Sequence, residues 1–122
     1  MIKPIIDTTL NINDSKIYII ILKLHKSYLF LISDVEDFGI GTVSMGIPST
    51  LSTLKPTSSS YQLFGVQSDL LNRTIVESAS YKLNSPVLLI LYLKDQKVDQ
   101  DMAKNLIKSL NSILKEISEK NL

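Results

Sequence analysis

The sequence predicts an α+β fold: an antiparallel sheet of about six strands, with two helices packed on one face and dimerisation through the other. Three observations carry this. The first 46 residues alternate apolar runs with turn signals. Two later segments repeat apolar residues every third or fourth position, and three strand candidates are apolar on both faces.

Ile5 to Ile12 leans toward strand, and Asn13-Asp14 is a strong turn signal before the Ile-rich run Lys16 to Leu24, so the two segments form a hairpin. His25-Lys26 separates a further strand, Ser27 to Ser33. The acidic stretch Asp34-Val35-Glu36-Asp37 then leads through Phe38-Gly39-Ile40-Gly41 into Thr42 to Met45, and this opening half reads as a four-strand meander. Residues 47 to 60 hold two Pro and eight Ser/Thr and are expected to form a long polar loop. A short strand, Tyr61 to Phe64, precedes a helix capped at Ser68 or Asp69, with Leu71, Ile75, Ala79 and Leu83 on its apolar side and Asn84 and Pro86 stopping it. Val87 to Leu93 is an unbroken apolar strand. The last helix, about Val98 to Glu119, lines up Val98, Met102, Leu106, Leu110, Ile113, Leu114 and Ile117, with Asp99 and Asp101 near its start and Lys115 and Lys120 near its end.

A chain of 122 residues with 44% apolar and 20% charged residues supports one domain over 1–122. A formal net charge of +1 supplies no large single-sign field, which disfavours nucleic acid and anionic membrane as partners. No apolar run approaches the roughly 20 residues of a membrane-spanning helix, and Met1 to Asp7 lacks the apolar core of a signal peptide, so the expected location is cytoplasmic or nuclear. The absence of cysteine removes disulfides, thiolate nucleophiles and thiolate metal ligands.

Little in the sequence supports catalysis. The single histidine, His25, sits at a turn beside lysines, with Ser27 near but no acid to orient the ring. Asp34, Glu36 and Asp37 do not follow the spacing of a calcium loop and read as a solvated acidic segment. Gly39-Ile40-Gly41 has Ser44 where a phosphate-binding glycine motif needs its third glycine, so these glycines are expected to shape a hairpin. No catalytic residue, cofactor or metal is expected.

The strands speak instead for a protein partner. Ile17 to Leu22, Tyr28 to Ile32 and Val87 to Leu93 are apolar on both faces, whereas a sheet with water on one side alternates. Two helices cover one face, and a second chain most simply covers the other. If His25-Lys26 is the turn, Tyr18, Ile20, Leu22 and Leu24 share a face with Leu29 and Leu31, and this mostly aliphatic set is expected under the helices. The opposite set is expected to meet the partner because of its aromatic residues and marginal lysine; it places Ile19, Ile21, Tyr28, Phe30, Ile90 and Tyr92 at the interface.

The ordered succession of Tyr28 to Ile32, Phe38-Gly39-Ile40-Gly41-Thr42-Val43, Ile47-Pro48-Ser49-Thr50, Leu63-Phe64-Gly65 ahead of a helix, and Val87 to Leu93 closed by Lys94-Asp95 resembles the proteasome assembly chaperone 3/4 family. The resemblance runs from about residue 15 to about residue 117, and its Phe-Gly…Gly-Thr segment leans toward type 3. It implies a non-enzymatic chaperone that pairs through a sheet face with a second, type 4-like subunit, or with itself in isolation. It further implies binding to proteasome α-type subunits and guidance of α-ring assembly in the core particle. The 47–60 loop is the expected α-subunit contact, since a polar segment can order on a partner. The alternative is a roadblock- or longin-like dimeric scaffold in GTPase regulation or trafficking. Such domains usually place a helix after the first one or two strands, whereas four strands are expected before any helix here.

Overall fold

The computed structural model describes residues 2–48, 58–64, 69–94 and 98–122. Its elements run β1 (Pro4–Ile12), β2 (Ser15–Leu24), β3 (Ser27–Ser33), β4 (Thr42–Pro48), β5 (Ser58–Phe64), α1 (Asp69–Leu83), β6 (Val87–Tyr92) and α2 (Gln100–Glu119). The strands form one six-stranded sheet in the order β1-β2-β3-β6-β4-β5. Every neighbouring pair is antiparallel except β3 and β6, which run parallel. The expected four-strand meander therefore holds only for β1 to β3. β6 inserts between β3 and β4, because the strand that is apolar on both sides is most stable in the middle of the sheet, while β4 carries Ser44, Gly46 and Pro48.

The expected 47–60 loop is shorter than its composition suggests. Ile47 and Pro48 end β4, and Ser58 to Ser60 open β5 in register with them, Pro48 opposite Ser58 and Gly46 opposite Ser60. Ladder hydrogen bonds at the sheet edge hold serine-rich backbone without apolar side chains. Residues 49–57, on which the expected α-subunit contact falls, lie outside the described residues, as does the candidate cap Ser68.

Local chemistry accounts for the turns and helix ends. Asn13 and Asp14 both take left-handed backbone (φ 52° and 65°), the geometry of a tight two-residue hairpin that these side chains tolerate. Lys26 does the same at the β2–β3 turn (φ 54°) without that tolerance. Asp99 caps α2, its carboxylate accepting the Met102 N–H at 2.8 Å. Both helices end on a left-handed asparagine, Asn84 and Asn121. In each case the next residue's N–H reaches back to close the last turn, Ser85 to the Ser80 carbonyl and Leu122 to that of Ile117.

One core forms between the sheet and the helices. Ile17, Ile19 and Ile21 of β2, Phe30 and Ile32 of β3, and Leu89 and Leu91 of β6 are fully buried there with Val76 and Ala79 of α1 and Met102 and Leu106 of α2. α1 lies over β4, β5 and β6, and α2 packs beside it, reaching β1. The α1 contact requires Gly46, since a Cβ there would sit 2.2 Å from the Val76 carbonyl oxygen. On the same side of β4, the Ser44 hydroxyl is buried with no hydrogen-bond partner.

These two positions predict opposite outcomes on one strand. Gly46→Ala lowers the unfolding free energy by about 1–3 kcal/mol, because backbone and not a flexible side chain blocks the added methyl. Ser44→Ala leaves stability unchanged or raises it by about 1 kcal/mol, because the hydroxyl it removes is desolvated without compensation. Urea denaturation measures both. In the same assay, Lys26→Gly raises stability by about 1 kcal/mol by relieving the left-handed turn.

Candidate functional site

The face of the sheet away from the helices carries a second apolar register, which the described residues cover only in part. Strand register fixes its membership. Tyr18, Ile20 and Leu22 of β2 pair with Ser33, Leu31 and Leu29 of β3. Leu29, Leu31 and Ser33 pair in turn with Leu88, Ile90 and Tyr92 of β6, and Ile90 and Leu88 with Val43 and Met45 of β4. Ile20, Leu22, Leu29, Leu31, Met45, Leu88 and Ile90 are all half-buried, and Ile47 and Tyr61 at the margin are exposed.

The residues that share a face are those expected from parity for β2 and β3, but the two faces are exchanged. Ile19, Ile21 and Phe30, expected at the partner surface, are fully buried beneath the helices. Tyr28 is also buried on that side, its hydroxyl donating to the Leu122 carbonyl at 2.9 Å, with Lys23 Nζ donating to the same oxygen at 3.2 Å. Ile90 and Tyr92 do lie on the open face, opposite Leu31 and Ser33 and not beside Phe30. The physical reason lies in β1. Its register sets Ile6, Leu10 and Ile12 on the side of Ile21 and Ile17, and Asp7 and Thr9 on the side of Ile20 and Tyr18. The polar side of β1 points away from the core, and it carries Tyr18 and Ile20 with it. The Asn13-Asp14 hairpin already contained this signal, which aliphatic-versus-aromatic composition could not supply.

The chain covers part of this face itself. The 34–41 segment folds against the end that holds Tyr18 and Tyr92. The Phe38 ring meets Tyr18 edge-on at 6.4 Å, and Gly39 lies against the Tyr92 ring so closely that a Cβ would stand 2.8 Å from it. The Asp34 carboxylate accepts the Lys94 N–H at 2.7 Å, and the Asp34 N–H donates to the Tyr92 carbonyl. Asp34 thus acts as a structural tie, and Gly39 and Gly41 make room for strand β6 instead of forming a hairpin. Ile40, beside them, is 66% exposed. His25 is bound through its backbone only, its carbonyl accepting from the Ser27 hydroxyl. Among the described residues, no three His, Cys, Asp or Glu side chains converge on a metal position. No described helix is long and apolar enough to cross a membrane.

A six-stranded, mostly antiparallel sheet with two helices on one face defines an α+β fold. No family model and no curated protein matches the sequence. Among solved structures, the chain is similar to a subunit in the crystal structure of a chaperone complex for yeast 20S proteasome assembly. The TM-score is 0.62 at 14% identity, covering 97% of this chain and 93% of that one. At that identity the likeness establishes a shared fold over nearly the full length of both chains.

The two faces predict different phenotypes for the same substitution. Phe30→Asp strands a charge in the core and abolishes cooperative unfolding, whereas Leu31→Asp, one residue away, leaves the thermal transition of the dilute, monomeric chain within a few degrees of wild type. Circular dichroism melting distinguishes them.

Proposed function

We propose that this protein is a non-enzymatic chaperone of proteasome assembly. It pairs through its open sheet face with a related subunit, and the pair binds α-type subunits and assists formation of the α-ring of the core particle. The observation that carries the reading is the second apolar register, Ile20, Leu22, Leu29, Leu31, Leu88 and Ile90, presented half-buried on a sheet whose helices all lie on the other side. Burying such a face against a like-shaped sheet removes apolar surface at about 25 cal/mol per Å², and two sheets stack face to face at about 10 Å.

The fold likeness to a subunit of a proteasome assembly chaperone complex supports this assignment. So does the element order, with five strands ahead of the first helix, where roadblock- and longin-like scaffolds usually place a helix early. Such a chaperone works in the cytoplasm or nucleus. Its partner is a second chaperone of the same architecture, with a second copy of this chain standing in when it is isolated.

The test is affinity capture of the tagged chain from its own cells, read by mass spectrometry, alongside the double variant Leu31→Asp/Ile90→Asp. Wild type brings down a second small chaperone and α-type subunits without mature β-subunits, and the double variant loses the second chaperone at least tenfold. Recovery of GTPases or trafficking complexes, or an undiminished chaperone partner with the double variant, overturns the reading.

A further inference from the structure

The helix layer, on the far side of the molecule from the open sheet face, carries a lysine-lined groove. Along the C-terminal half of α2, beside the end of α1, lies an open groove of about 640 Å³. Lys82 of α1 and Lys108 and Lys115 of α2 line it, with Asn111 between the helices, Leu114 at the floor and Glu119 at one end. Three ammonium groups and one carboxylate give the groove a positive charge on a chain whose overall balance is only +1.

Among the described residues, little neutralises these lysines. Lys120, just outside the groove, is engaged by Glu116 at 2.8 Å, and this hydrogen bond and the adjacent charge raise its pKa above the ordinary lysine value. Among the described residues, the ion pair within the groove is Lys115 with Glu119, 4.0 Å apart, with side chains 76% and 66% exposed, a contact of little strength. Lys82 donates to the Asn111 side-chain oxygen at 2.9 Å, an uncharged acceptor that holds the ammonium over the groove. No described carboxylate lies within ion-pair distance of Lys108. Lys82, in the last turn of α1, complements the helix dipole, but Lys108 stands mid-helix in α2, where that explanation fails.

We infer that this groove binds an acidic protein segment. Lys108 and Lys115 are seven residues apart on one helix, about 10 Å along its axis, a spacing matched by carboxylates three residues apart in an extended peptide at about 3.3 Å per residue. Leu114 and the lysine stems offer apolar contact beside the charges, which a peptide uses and a bare phosphate does not. No aromatic side chain lines the groove to stack a base, and the small net charge supplies no field for a polyanion. The inference is independent of pairing through the sheet, since it concerns the opposite side of the molecule.

The experiment is fluorescence anisotropy of the full chain with a fluorescein-labelled peptide of Glu-Leu-Ser-Glu repeats. A matched Gln-Leu-Ser-Gln peptide and a single-stranded RNA of equal charge serve as competitors. The acidic peptide binds in a salt-sensitive manner, and the neutral peptide and the RNA do not displace it. The triple variant Lys82→Gln/Lys108→Gln/Lys115→Gln weakens binding at least tenfold while keeping its melting temperature. Lys16→Gln, on the β1–β2 hairpin, leaves binding unchanged. Absence of acidic-peptide binding, equal affinity in the triple variant, or displacement by the RNA overturns the inference. Loss of sheet-face pairing in the Leu31→Asp/Ile90→Asp variant leaves this binding intact, so the two readings fail separately.

Discussion

The structure depends on a mismatch between its strands and its helices. β2, β3 and β6 are apolar on both faces, yet the two helices among the described residues both lie on the same side. Packing can therefore satisfy one register only. Ile17, Ile19, Ile21, Phe30, Ile32, Leu89 and Leu91 take the covered side at full burial. Ile20, Leu22, Leu29, Leu31, Leu88 and Ile90 are left half-buried on the other. Among the described residues, the chain covers that face at one end, where Phe38 and Gly39 close over Tyr18 and Tyr92. A surface of this kind favours association, and the pairing proposed above rests on it.

Much of the architecture was legible in the sequence because its signals are local. Asn13-Asp14 marked the first hairpin, the apolar repeat from Met102 to Ile117 marked α2 and its buried side, and Asn84 marked the end of α1. What was not legible depends on distant pairing. The parallel partnership of β3 and β6 is set by which strand gains most from the sheet centre, and no turn between them announces it. The serine-rich start of β5 is held by backbone ladders that composition does not report.

The candidate site shows the same division. Parity grouped the residues of β2 and β3 correctly, because alternation is a local property. Assigning the groups to faces required a third strand. In β1, the polar Asp7 and Thr9 lie in register with Ile20 and Tyr18 and so identify the outward side. Aromatic content pointed the other way, since Phe30 fills the core and the Tyr28 hydroxyl finds the Leu122 carbonyl at its margin. An aromatic side chain is as useful in a core as at an interface, so its presence alone does not choose between them.

The two sides of the molecule then have separate chemistry: an apolar sheet face, and a lysine-lined groove in the helix layer. The central claim is the assignment of registers to faces, and thiol labelling tests it most directly because the chain has no cysteine of its own. In single-cysteine variants, Phe30→Cys should label only as fast as the whole domain unfolds, at any protein concentration. Leu31→Cys should label quickly at high dilution and slow as its partner, or more of the chain itself, is added. Rapid labelling of Phe30→Cys in the folded protein, with Leu31→Cys protected at every dilution, would contradict the account.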